Sequence, residues 1–172
     1  MSVRARPSNC SSGIKVDFYW YSCDARGEES HLEAAVEALL EAIRAPGTRR
    51  WNPWVLTMVR SEFRQRLTLA AAGELVPVDE VSGLRDAKWP LFEIRWQDIA
   101  VTEVDGTELC HREIQVRLIH AEPPELSVCA LGLHAHEKCV TGDVRAQQDA
   151  EIDIALGRYL DGYGDRWGQV KR

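Results

Sequence analysis

The residues of this chain best equipped for chemistry lie in its second half. His134-x-His136-x-Lys138 sets two imidazoles and an ammonium at alternate positions of LSVCALGLHAHEK, residues 126–138. Alternate side chains of a strand share a face, so these three are expected to point the same way as Val128, Ala130 and Gly132, with Cys129, Leu131, Leu133 and Ala135 on the other side. Upstream, Glu93 and Arg95 stand two apart in LFEIR, and Gln115 and Arg117 stand two apart in EIQVRLIHA, residues 113–121. Imidazole titrates near neutral pH and moves protons or holds metals, and a guanidinium grips oxyanions. A strand built only to fill a core has no use for such a row. Each residue also has an ordinary reading. Glu93 and Arg95 suit a plain ion pair, worth little when exposed. The histidines suit solvated strand ends or hydrogen-bonded core positions. His134 and His136, with His120, Glu137 or Cys139 nearby, also offer zinc ligands, although two histidines at this spacing are a weak signal.

The flanking pattern says what must hold these residues in place. Ile14, Val16, Phe18 and Trp20 alternate as one face of a strand. Ser30-x-x-Glu33 fits a capping box, and Leu32, Ala35, Val36, Leu39, Leu40 and Ile43 form one helical stripe that ends at Ala45-Pro46-Gly47. A second helix is predicted from Asn52 and Pro53, with Val55, Leu56, Val59, Phe63, Leu67 and Ala70 on its buried side and Gly73 at its end. Residues 74–88 lack periodicity. Strands over 89–96, 113–121 and 126–138, joined by the Asp105-Gly106 turn and by Glu122-Pro123-Pro124-Glu125, make an antiparallel meander. A last helix starts near Asp143 and runs to about Asp161. The order βααβββα puts the chain in the α+β class.

The chain has 172 residues, 45% of them hydrophobic, which fits one globular domain with a real core. The expected division is a loose tail over 1–13, a domain over 14–161 and a mobile tail over 162–172. No apolar window is long enough to span a membrane, and nothing at the start reads as a secretory signal. Five cysteines without a C-x-x-C pair suit reduced thiols and a cytoplasmic setting. The net charge of −6 counts against stand-alone nucleic-acid binding. Charge is also sorted: acids dominate 24–41 and arginines dominate 44–66, as expected of solvated helix faces. Trp51 and Trp54 sit beside Arg49 and Arg50; core packing is the expectation for both, ahead of a partner contact or a base-stacking surface.

Four segments in this order resemble the RelE/ParE superfamily of type II toxins, in its HigB-like, phage-derived branch. Leu91-Phe92-Glu93-Ile94-Arg95 is similar to that branch's W/F-E-L-R strand. Residues 114–121 resemble its R-x-x-Y strand, with Arg117 at the arginine and His120 in place of the tyrosine. Residues 131–138 resemble L-x-H-x-F-x-K-K, with His134 or His136 near the family histidine, Lys138 at the basic end and Cys139 where the second lysine would fall. Glu151-Ile152-x-x-Ala155-x-x-Arg158 resembles its closing helix. The resemblance implies a RelE-like fold: an antiparallel sheet, an N-terminal helical hairpin and a C-terminal helix. It also implies a ribosome-dependent mRNA endonuclease that inhibits translation, works without a cofactor or metal, and is silenced by a cognate protein antitoxin. Arg95, Arg117, His134, His136 and Lys138 would be catalytic, and Arg95, Arg117, Lys138 and His120 would contact RNA. The free protein is expected to be a monomer or weak dimer. The alternatives are a ParE-like poison that binds rather than cuts, and a phage-derived interaction protein of the same fold.

Overall fold

The computed structural model describes residues 6–84 and 88–169. Its elements are β1 (Asp17–Trp20), α1 (Glu28–Ile43), β2 (Arg49–Arg50), α2 (Pro53–Ala72), β3 (Val81–Gly83), β4 (Leu91–Asp105), β5 (Glu108–Ala121), β6 (Cys129–Glu137) and α3 (Val144–Gly162). The strands form one sheet in the order β1-β6-β5-β4-β2, with β3 paired to the first part of β4. The protein is α+β, as expected. The sheet, however, is mixed rather than antiparallel, because β1 runs parallel to β6. That geometry follows from the connection: α1 and α2 carry the chain from β1 across the sheet before the meander returns to β1's side.

α1 and α2 cover one face. Phe18, Val36, Leu39, Phe63, Leu67, Ile94 and Leu118 meet there in one apolar cluster. α2 starts and stops where its residues dictate. The Asn52 side chain accepts from the Val55 N–H at 2.9 Å, Pro53 opens the first turn, and Gly73 closes the helix at φ 74. α1 begins earlier than its capping box predicts: Gly27 (φ 103) precedes Glu28, Ser30 lies inside the helix, and Glu28 and Glu29 sit in the first turn, where the helix dipole favours acids. The sorted charge has a structural use. Arg60 pairs with Glu33 and Glu37, and Arg64 pairs with Glu29 and Glu33, so the acids of α1 face the arginines of α2 along the hairpin. Trp51 packs against the core edge, whereas Trp54 stands 82% exposed, against the expectation of core packing.

The opposite face carries α3 and the 3-10 turn that follows it. Leu91, Ile119, Leu131, Leu133, Tyr159 and Trp167 form the second apolar cluster. Neither expected tail is loose where the structure describes it. Ser8 and Cys10 are buried, and the Asn9 side chain donates to the Cys129 carbonyl at 3.0 Å. Trp167 is 5% exposed and its indole donates to the Tyr159 carbonyl at 2.9 Å. Residues 1–5 and 170–172 of the expected tails lie outside the described residues.

Candidate functional site

The long β4–β5 hairpin and β6 bring the chemically equipped residues together. Arg95 is the register partner of Arg117, and Arg117 is the register partner of His136. Paired residues of neighbouring strands share a face, so the three form a straight row across the sheet. His134 lies beside it, opposite Ile119. All four are on the α3 face, away from the helical hairpin.

The simple alternation expected for β6 does not produce this row. The pairing shifts between Ile119↔His134 and His120↔Gly132, so β6 has one extra residue there. Up to Leu131 the odd-numbered residues face α3; beyond the bulge His134 and His136 do. Ala135 therefore packs against the hairpin core, and the histidines share their face with Cys129 and Leu131. Gly132 lets the strand pass under Trp20, whose ring a Cβ at this position would approach to 2.6 Å.

Two like charges opposite each other on a sheet repel, so Arg95 and Arg117 need an anion between them. Glu93 supplies it. Its Oε1 lies 2.7 Å from Arg95 and 3.9 Å from Arg117 Nε. Arg95 also donates to the Val78 carbonyl at 2.9 Å. Arg117 is almost wholly buried and donates to the carbonyls of Trp96 and Val116 at 3.2 and 3.0 Å and to Gln115 Oε1 at 2.9 Å. Burial lowers its pKa, Glu93 works against that, and the Arg95 charge adds to it.

The two imidazoles stack, with centroids 5.6 Å apart and planes 10° from parallel. Arg158 of α3 donates to His134 Nδ1 at 3.2 Å, which leaves the His134 Nε2 proton facing Glu151. His136 Nδ1 donates to the Glu137 carbonyl at 3.3 Å, so Nε2 is the nitrogen able to accept a proton. Burial lowers the His136 pKa below the usual histidine value; Glu151 pulls it up and His134 pulls it further down. A buried, neutral imidazole suits a general base at neutral pH. Lys138 follows the end of β6, with its backbone N–H on the Gln115 carbonyl at 2.8 Å, and lines the same depression as Arg117 and His136. α3 forms the roof through Val144, Gln147, Gln148 and Glu151, leaving about 20 Å³, room for a water but not for a nucleotide. A larger groove of about 520 Å³ opens beside β1, where Asp17, Asp24 and Glu28 outnumber the cationic Arg26, with His31 also in its lining.

His120 does not join the row. It is fully buried on the hairpin side, stacked on Phe92 with centroids 5.6 Å apart, and cannot contact RNA there. Its Nε2 lies 3.8 Å from Cys10 Sγ and 3.2 Å from Glu122 Oε1. Burial opposes charge on the ring, but the sulfur and the carboxylate outweigh it and raise the pKa to about 10. Among the described residues, Cys10, His120 and Glu122 are the cluster whose donor atoms converge within 4.8 Å; His134 and His136 do not form one with Glu137 or Cys139. Sequence reading left out Glu93 and Glu151 as site residues. Their positions, two before Arg95 and seven before Arg158 on one helical face, were the available signal.

No family model, no curated protein and no solved structure matches the chain. Among the described residues no helix is long and apolar enough to cross a membrane.

Proposed function

We propose that this protein is a RelE/HigB-like, phage-derived type II toxin that inhibits translation by cutting mRNA on the ribosome, and that a cognate protein antitoxin silences it. The single observation that carries the reading is the in-register row Arg95–Arg117–His136. Such a row strains a sheet and suits a phosphodiester. The RNA 2′-hydroxyl attacks the adjacent phosphorus. His136 Nε2 takes the hydroxyl proton, Arg95 and Arg117 hold the non-bridging oxygens in place of the Glu93 carboxylate, and Lys138 adds positive charge. The Lys138 ammonium, which has a proton to give, supplies it to the departing 5′-oxygen, and His134, stacked on His136, holds the base in place. Every step uses side chains of the chain itself, so the reaction calls for no cofactor.

Arg117 and His136 lie closed beneath α3 while Arg95 stays partly exposed, so RNA reaches the whole row only when the first turns of α3, residues 144–151, lift away. The negative net charge fits the same requirement: the ribosome, not the toxin's own field, brings the RNA to the site. A second reading has its own support in the exposed Trp54 and Met58 on α2, which fit a protein partner and a poison that binds without cutting. Induced expression separates the two. Growth arrest with transcripts cut in frame, both lost in folded Arg95→Ala, supports the endonuclease. Arrest with intact transcripts, unchanged in Arg95→Ala, supports the binding poison. Normal growth of the parent strain contradicts both.

A further inference from the structure

The second cluster of chemically capable side chains lies on the opposite face of the sheet and takes no part in the proposed cleavage. We propose that Cys10, His120 and Glu122 form a buried site for a transition-metal ion of the zinc class, which pins the N-terminal segment to the end of β5. The three come from separate places: Cys10 from the 3-10 turn Asn9–Ser11, His120 from the end of β5, and Glu122 from the loop after it. All three are buried, with 0% exposure. Cys10 Sγ and His120 Nε2 are 3.8 Å apart, His120 Nε2 and Glu122 Oε1 are 3.2 Å apart, and all three donor atoms lie within 4.8 Å of one another. Ligands bound at 2.0–2.3 Å to one tetrahedral ion stand about 3.3–3.6 Å apart, so small shifts bring the set onto an ion.

The convergence is odd for a simple hydrogen-bonded group. A single imidazole nitrogen faces both the sulfur and the carboxylate, and its one proton gives each of them at most a shared, three-centre hydrogen bond. A divalent ion at that point serves all three. The mixed sulfur, nitrogen and oxygen set favours zinc and its neighbours over magnesium or calcium, which take oxygen alone. The next layer is also built to orient the carboxylate. Ser8 Oγ and the Asn9 N–H donate to Glu122 Oε1 at 2.5 and 2.8 Å, and Arg6 donates to Oε2 at 3.2 Å. Outer partners of this kind hold metal-binding carboxylates in place.

Because the ligands are fully enclosed, the ion enters as the chain folds. The test therefore uses the full chain, with the exposed Cys110 and Cys139 changed to serine, unfolded with chelator and refolded with zinc or cobalt. One zinc per chain by mass spectrometry, a rise in Tm over the chelated protein and a thiolate-to-cobalt absorption band are expected. Cys10→Ser abolishes the band, and Ser8→Ala, which keeps all three ligands, weakens zinc retention about 10–100-fold against a competing chelator. Refolded protein that holds well under one equivalent of zinc, a cobalt complex without the thiolate band, or a band that survives in Cys10→Ser overturns the proposal. If Cys10→Ser does not fold, the cobalt spectrum and stoichiometry of the parent chain decide alone.

Discussion

The two faces of the sheet solve opposite problems with the same strands. Toward α1 and α2 the strands offer Phe18, Ile94, Val116 and Leu118, and the helices fill the space with Leu39, Phe63 and Leu67. Polar groups there are confined to the ends, and the arginines of α2 pair with the acids of α1 in solvent. Toward α3 the central strands offer Glu93, Arg95, Arg117, His134 and His136, and α3, a helix with few buried residues, covers all of them but Arg95. Burying a guanidinium costs free energy unless every donor is satisfied. Arg117 meets that condition only through two carbonyls, a glutamine and a distant carboxylate. The comparison separates a face filled mainly by packing, with buried charge confined to the His120–Glu122 end, from one that retains charge through its centre at a cost to stability.

The largest effect should come from hollowing the packed face. Phe63→Ala leaves a cavity beneath Trp96 and should lower stability by about 3–5 kcal/mol in denaturant unfolding. An effect under about 1 kcal/mol would mean that this face is not the tight core described.

Next comes the anion at the centre of the other face. Glu93→Gln keeps the shape but leaves Arg95 and Arg117 facing each other, and should cost about 3 kcal/mol by the same measurement. Glu93→Asp, which keeps the charge, should cost less than Glu93→Gln; an equal or larger cost would mean that packing rather than charge decides on this face too.

A smaller effect is set by pH. The folded-state pKa of His136 lies below its unfolded value. Between those two values the unfolded chain binds the proton more readily, so stability falls as pH drops below the ordinary histidine range, near 6.5, and the loss levels off under the folded value. His136→Gln should flatten that part of the stability curve. The smallest effect belongs to the helix ladder. Arg60→Ala should cost roughly 0.2–1 kcal/mol, and less in high salt, because the pairs are exposed and screened.

Much of the frame was legible in the sequence. Asn52, Pro53 and Gly73 marked α2 through local chemistry, and Asp105-Gly106 marked the hairpin between β4 and β5. The features that escaped notice are those without a local signature. The bulge in β6 depends on how β5 pairs with it, and LGLH carries no residue that announces it. The parallel pairing of β1 with β6 joins segments more than a hundred residues apart. Residues 116–121 are buried on both faces, so apolar alternation could not tell that His120 turns toward the hairpin while Arg117 turns away. Cys10 lay in a stretch without periodicity, held by polar contacts to Glu122 that only the folded chain brings together.

The most direct test of the central claim is single-turnover cleavage of a defined mRNA by purified protein on programmed ribosomes, comparing the parent with His136→Gln at matched fold by circular dichroism. The account predicts 2′,3′-cyclic phosphate ends from the parent. It also predicts a rate for His136→Gln lower by about 10²–10⁴-fold, with ribosome binding unchanged. Cleavage at the parent rate by His136→Gln, or ribosome binding by the parent with no cleavage, would contradict it.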